Sequence, residues 1–395
     1  MRILIAHNRY RQPGGEIAVV ERESRLLENA GHQVQRLEQS NTSIRTFADV
    51  VHTAAHLTKN PNGMAAVGTA LEYGKPDIVH LHNTFPLFSH GILDVCRRAG
   101  VPVVQTLHNY RSVCANGCLF RDDRVCEKCV GSQIPWAAIH RCYRNSTVGS
   151  LAVWRMIKYH EKRKTLTRCA DRLIVLSEFH RRMLVRSGLS AANMVVKPHF
   201  AENPGGAPER ARQGFLYAGR ISREKGARVL IEAARRTNLP VDIAGEGPER
   251  KALEKIAPPS VRFLGQLDGT AVGERMRSAI ALVVPSLWHE PFGLVVVEAY
   301  ANGLPVIASE GGALRENVQN GVTGFCFTPH DADQLASRML ALANDRALAR
   351  ELGTNARKLY LDRFTPKINL GLLTAIYQDA ISARSPQTRA QTLTG

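Results

Sequence analysis

The chain of 395 residues contains no run of about 18 apolar residues, so nothing in it reads as a membrane-crossing helix. Its opening stretch, MRILIAHNRYRQPGG, carries too short an apolar segment for a secretory signal, and the expected location is the cytosol. Neither glycine, at 31, nor proline, at 19, exceeds ordinary usage, which excludes a collagen-like or low-complexity chain. Acidic residues are in short supply. Against 52 Lys and Arg there are 35 Asp and Glu, a formal charge of +17. Apolar residues reach 44 %, enough for sizeable cores, and the length predicts two or three domains. The unbalanced charge points to nucleic acid, an anionic membrane surface or phosphorylated substrates.

Strand and helix patterns alternate from the start. Short apolar runs at 2–6, 33–37, 77–81, 103–107, 172–176 and 194–196 read as strands, with helical stretches between most of them. A polar Pro/Gly-rich segment, 201–214, reads as a linker. The rhythm then restarts, with strands expected at 215–217, 241–243, 261–264, 281–284 and 306–308. Helices are expected at 227–236, 248–256, 269–278, 294–301, 331–344 and 346–363. Alternation of this kind argues for parallel sheets covered by helices. The expected layout is a doubly wound first domain over 1–200 and a second over 214–365. A helix over 366–383 is a candidate to cross back to the first domain, and a polar tail covers 384–395. Ligand loops of such sheets lie at the carboxyl ends of the strands, so a cleft faced by both domains is the expected functional site.

Two segments of the second half carry chemistry. In WHEPFGLVVVEAYANG, Glu290 and Glu298 flank the start of a helix near Leu294, whose first backbone N–H groups suit a phosphate or a polar sugar. A carboxylate one turn into that helix can accept hydrogen bonds from two vicinal hydroxyls. In YAGRISREKG, Arg220 and Lys225 share one loop, and a guanidinium fork with an ammonium can clamp a diphosphate. Taken singly, each segment also reads as an ordinary solvated loop with a helix acid.

Together the two segments resemble the retaining nucleotide-sugar glycosyltransferases of family 4, over nearly the whole chain. The most specific stretches are 215–226 and 284–324, including Gly311-Gly312 and Asn320-Gly-Val-Thr-Gly324, which the strand pattern places after the last core strand. The resemblance implies an α/β GT-B fold of two Rossmann-like domains facing a central cleft. It implies that Arg220 and Lys225 bind the diphosphate of a UDP- or GDP-linked donor. Glu298 would bind the ribose hydroxyls. Glu290 and the backbone of Phe292, Gly293 and Leu294 would hold the donor sugar and distal phosphate. Gly14 and Gly15 match the family's glycine loop. His108 matches its cleft histidine, which orients the sugar or shields positive charge; as a lone histidine at a strand end it also reads as a core residue. Asn109 stands where Asp is usual, which weakens any role needing charge there. Implied catalytic residues are thus His108, Glu290, Arg220 and Lys225, and the implied reaction retains configuration without a catalytic metal. The acceptor would be a saccharide or a lipid-linked saccharide of surface polysaccharide or glycolipid synthesis. Alternatives are a sugar phosphorylase or epimerase on the same fold, or a non-enzymatic protein binding nucleic acid or another anion.

Five of the eight cysteines cluster in an insertion over about 110–146. Cys114, Cys126, Cys129 and Cys142 make a candidate structural zinc set; free, partly buried thiols are the alternative. Basic residues concentrate over 154–186, among them Arg155, Lys158, Arg163, Arg172, Arg181 and Arg186, interleaved with Trp154, Ile157 and Tyr159. That pattern reads either as a face resting on anionic lipid at the inner face of the plasma membrane or as a solvated helix face. No nucleic-acid motif is present, and nucleic acid is not expected as a partner.

Overall fold

The computed structural model describes residues 1–11, 14–205 and 212–384. Part of the expected linker, and all of the expected polar tail except Arg384, lie outside the described residues. The chain divides into two compact units. The first takes residues up to Leu119, Cys126–Lys197 and the chain from Leu370 onward; the second takes Phe120–Val125 and Pro198–Asn369.

The first unit is built on a parallel sheet. Its strands are β1 (Arg2–Arg9), β2 (Gln33–Ser40), β3 (Ile78–Leu81) and β4 (Val103–Thr106). Its last two strands are β7 (Arg172–Val175) and β8 (Met194–Val196); between β4 and β7 the chain forms a separate antiparallel hairpin of β5 (Phe120–Arg121) and β6 (Arg124–Val125), which is the segment assigned to the second unit. The order in the six-stranded sheet is β2-β1-β3-β4-β7-β8. Parallel strands covered on both faces read as continuous apolar runs, which is why RILIA, IVHL and VVQT look alike in sequence. On one face Leu4, Val79, Leu81 and Val103 pack against Leu71, Ile92 and Leu93. On the other, Ile3, Ile5, Ile78 and Ile174 pack against Val20, Leu27 and the last helix, through Leu373, Ile376, Tyr377 and Ala380. That helix, Pro366–Ser382, passes from the second unit into the first at Leu370. Each such fully buried aliphatic side chain contributes about 1.5–3 kcal/mol.

The second unit repeats the plan with β9 (Phe215–Ala218), β10 (Val241–Ala244), β11 (Val261–Gly265), β12 (Ala281–Val284), β13 (Val306–Ser309) and β14 (Gly324–Phe327). The order is β11-β10-β9-β12-β13-β14. The first strand of the unit is therefore central, and the strand order reverses between β9 and β12. Loops leaving those two strands diverge at this point and open a crevice for a ligand. The strand pattern did not anticipate β14. It pairs in parallel with β13, so Asn320-Gly-Val-Thr-Gly324, which follows the last core strand, leads into an edge strand. Four residues that begin on Gly324 and end before Thr328-Pro329 carry too little periodicity to be read as a strand.

Candidate active site

In the second unit, the loops after β9 and β12 bring Lys225 and Glu290 into contact. Lys225 Nζ donates to Glu290 Oε2 at 2.8 Å. The same oxygen accepts from Trp288 Nε1 at 2.9 Å and from Ser286 Oγ at 3.2 Å. The ammonium also lies 5.0 Å from the centre of the Trp288 ring. Glu290 is 7 % exposed, so its charge is buried only because these donors converge on it.

Two glycines make the approach possible. Gly226 has φ 68°, and a Cβ there would meet the Pro285 carbonyl oxygen at 1.9 Å. Only glycine lets the loop after β9 lie against the loop after β12. Gly312 has φ 67°, and a Cβ would meet the Glu290 N and O at 2.5 Å. From this turn Ala313 N donates to Glu290 O at 2.8 Å, and the Ser309 hydroxyl donates to the Ser286 carbonyl. The Gly311-Gly312 segment thus supports the loop that presents Glu290.

The remaining second-unit candidates sit around this pair. Arg220 is exposed on the β9 loop, whose turn is held by the Tyr217 hydroxyl donating to the Arg220 carbonyl at 2.6 Å. Phe292 is buried, with its ring packed edge-on to His199 and Phe364, and its carbonyl accepts from Asn317 Nδ2 at 2.5 Å. Gly293 precedes the helix Leu294–Ala301, and Glu298 lies half-buried on that helix one turn in.

In the first unit, Gly14 caps the helix Gly15–Asn29 with extended backbone, and its carbonyl accepts from Ile17 N. A cavity at the carboxyl ends of the first unit's strands is lined by Glu16, His82, Asn83, His108, Asn109 and Arg111. Asn109 Oδ1 accepts from Arg111 N at 2.9 Å, a local turn that an uncharged amide closes as well as a carboxylate.

Sequence reasoning missed what lies behind His108. His82 Nδ1 is 2.9 Å from His108 Nε2, and the two rings stack with centroids 5.2 Å apart. His82 Nε2 lies 3.7 Å from Glu23 Oε2, and Glu23 Oε1 accepts from Lys197 Nζ at 2.6 Å. Glu23 and Lys197 side chains are each 1 % exposed. His80 bonds Tyr377 Oη at 2.7 Å and Thr106 Oγ1 at 2.8 Å. Burial pushes His80 down to about 4 and His82 well below the usual histidine range, so both rings are neutral. Burial likewise lifts Glu16 to about 8, opposed by the Arg111 guanidinium, and lowers His7 to about 4. A signal for Glu23 was present. Val20, Glu23 and Leu27 share the buried face of their helix, and a carboxylate there needs a partner.

The expected zinc at the cysteines finds no support in their arrangement. Burial first, then the neighbouring Cys114, Cys142 and Cys126, push Cys129 up to about 12, so the four thiols do gather. Among the described residues, however, the one group of three or more metal-ligating side chains with ligand atoms within 4.8 Å of one another is Glu23, His80 and His82. Tetrahedral Zn–S bonds of about 2.3 Å need sulfurs under about 4 Å apart. No disulfide joins these cysteines. Cys114 Sγ donates to Asn116 Oδ1, while Cys129 and Cys142 pack against Phe85, Ala115, Ala137 and Met156. In the Glu23 group, Lys197 takes Glu23 Oε1, Tyr377 and Thr106 take both nitrogens of His80, and His108 takes His82 Nδ1.

The basic stretch falls on the first unit. Lys158, Arg172, Arg181 and Arg186 pair with Glu161, Asp379, Glu178 and Glu127. Beside it, the packed helices Phe47–Ala55 and Thr147–Lys162 expose Phe47 at 83 % and Val148 at 80 %. Among the described residues no helix is long and apolar enough to cross a membrane.

A family model described as Glycosyltransferase Family 4 matches residues 13–201, and one described as Glycosyl transferases group 1 matches residues 205–359. The chain is 29 % identical over 307 residues to a glycogen synthase of Mycobacterium tuberculosis, covering 72 % of this chain and 64 % of that protein. It is 26 % identical over 358 residues to a phosphatidyl-myo-inositol mannosyltransferase of Mycolicibacterium smegmatis, covering 85 % and 83 %. Among solved structures, sucrose-phosphate synthase of Thermosynechococcus elongatus aligns with TM-score 0.73 at 20 % identity, over 97 % of this chain and 100 % of the other. Anabaena HepE in complex with UDP aligns with TM-score 0.66 at 19 % identity, over 96 % and 100 %.

Proposed function

The chain belongs to the glycosyltransferases of group 1 and family 4 and has their GT-B fold, and from that premise we propose that it transfers a hexosyl-type sugar from a nucleoside diphosphate donor with retention of configuration. The observation that carries the reading is the Lys225–Glu290 pair, set on the loops of two adjacent central strands where the strand order reverses. In this reading Arg220 and Lys225 hold the donor diphosphate. As the glycosidic bond breaks, their charge and the first N–H groups of the helix Leu294–Ala301 stabilise the negative charge growing on the leaving phosphate. The chain thereby supplies the positive charge that a divalent cation supplies elsewhere. Glu290, with Oε2 engaged by three donors, offers Oε1 to a sugar hydroxyl. Glu298 takes the ribose hydroxyls. The leaving phosphate accepts the acceptor's proton on the front face, and His108 orients the reacting sugar.

Gly14 and Gly15 belong to the same reading, as the loop that opens the acceptor side. A lipid-linked acceptor at the inner face of the plasma membrane is supported by two observations. Exposed Phe47 and Val148 lie on helices of the unit that carries the basic stretch, and one relative's name states a phosphatidylinositol acceptor. The UDP complex of HepE supports a uridine donor. The test is thermal stabilisation by UDP or GDP, lost in Arg220→Ala and in Glu298→Ala. Absence of any shift with either nucleotide, alongside salt-sensitive binding of DNA, would return the charge to the nucleic-acid reading. Vesicle sedimentation tests the membrane. Binding to anionic vesicles, released by salt and weakened in Phe47→Ser, is expected; equal binding to neutral vesicles counts against it.

A further inference from the structure

Beyond donor and acceptor binding, the first unit holds a buried chain of polar side chains running from Lys197 to His108. We propose that His82 is a positioning residue which, oriented by Glu23, holds His108 as the tautomer with its proton on Nε2 and its lone pair on Nδ1. The proposal rests on the reading of His108 as the group that orients the reacting sugar.

The geometry supplies each step. His82 is buried and flanked by His7, His80, His108, Glu23 and Lys197. Burial keeps its ring neutral, so it carries one N–H and one lone pair. One ring nitrogen, Nε2, faces the Glu23 carboxylate at 3.7 Å. That distance is too long for a hydrogen bond, but a carboxylate in a poorly screened interior still orients the nearest N–H dipole toward itself. Lys197 Nζ, at 2.6 Å, holds the other Glu23 oxygen and fixes the carboxylate in place. With the proton on Nε2, His82 Nδ1 presents a lone pair to His108 Nε2 at 2.9 Å. The shared hydrogen must then come from His108. The stacked rings, inclined by 23°, fix the plane of His108 as well as its proton. His80 cannot substitute, because both its nitrogens are bonded to Tyr377 and Thr106. A His108 so held accepts, rather than donates, a hydrogen bond through Nδ1, and the partner chemistry that fits is a hydroxyl proton of a sugar.

The experiment is nitrogen-15 NMR of the histidine rings in the full chain, with His108 assigned by its loss in His108→Gln. The expected wild-type spectrum shows a protonated, pyrrole-type Nε2 and an unprotonated, pyridine-type Nδ1. In His82→Leu the two nitrogens should move toward averaged positions. In His82→Asn, whose amide reaches the place of Nδ1, the wild-type pattern should persist. A wild-type His108 protonated on Nδ1, or averaging between tautomers, overturns the proposal, and so does an Asn variant that averages as the Leu variant does. Should the variants fail to fold, the wild-type spectrum alone decides. UDP or GDP stabilisation of the wild type is scored separately. Its absence removes the transferase reading without touching the tautomer result, and its presence with the opposite tautomer removes only the proposal.

Discussion

Replacing Lys197 by Met isolates the cost of burying a charge in the first unit. In the wild type, Lys197 and Glu23 are each 1 % exposed and 2.6 Å apart. Removing one partner of such a pair leaves an uncompensated charge, at a cost of about 3–5 kcal/mol. At about 2–4 °C per kcal/mol for a unit of this size, the melting temperature should fall by roughly 6–20 °C. The double variant Lys197→Met with Glu23→Leu removes both charges and keeps the apolar volume, so most of the loss should be recovered. Trp136 and Trp154 belong to the first unit and Trp288 to the second. Urea unfolding followed by tryptophan fluorescence in a Trp288→Phe background therefore reports on the first unit alone. A loss under about 1 kcal/mol, or a double variant as unstable as the sum of the singles, would refute the argument.

Further expectations concern the second unit and the cavity of the first. Arg220→Ala and Lys225→Ala each remove charge-assisted hydrogen bonds worth about 1.5–3 kcal/mol, so UDP or GDP titrations should show binding weakened about 10- to 100-fold. Lys225→Ala should also lower stability, since Glu290 loses its ammonium partner. Gly226→Ala should destabilise by more than about 1 kcal/mol, because the φ is left-handed and the Pro285 carbonyl blocks the Cβ; wild-type stability would contradict the packing described. Glu16 is held at about 8, above its unfolded value, so its ionisation opposes folding increasingly as pH rises from about 5 to 8. Glu16→Gln should flatten that part of the stability profile, and an unchanged slope would rule out Glu16 as its source.

Much of the architecture was legible because its signals are local. Apolar runs such as ALVV and VIAS mark strands buried on both faces, and the helix Leu294–Ala301 lies where its apolar run follows Gly293. The loops bearing Arg220, Lys225 and Glu290 could be picked out because strand, turn and helix follow one another within a few residues. The edge strand β14 and the hairpin of β5 and β6 were not read, since two to four residues carry no usable period. In the hairpin, Asp122 and Asp123 both adopt positive φ, a two-residue turn that Asp-Asp does not announce as Asn-Gly would.

The amino-acid sequence by itself determined the alternation of elements, the parallel sheets it implies and which loops carry the charged groups, because hydrophobic period and turn chemistry act over short distances. Only the tertiary structure decided who meets whom. Strand order placed Lys225 against Glu290, 65 residues apart in the chain, and gathered Glu23, His82, His108 and Lys197 across 174 residues. It also brought the four cysteines into one neighbourhood. Desolvation and pairing depend on such distant neighbours, so the protonation of the buried histidines is a property of the fold and not of the residues that carry it.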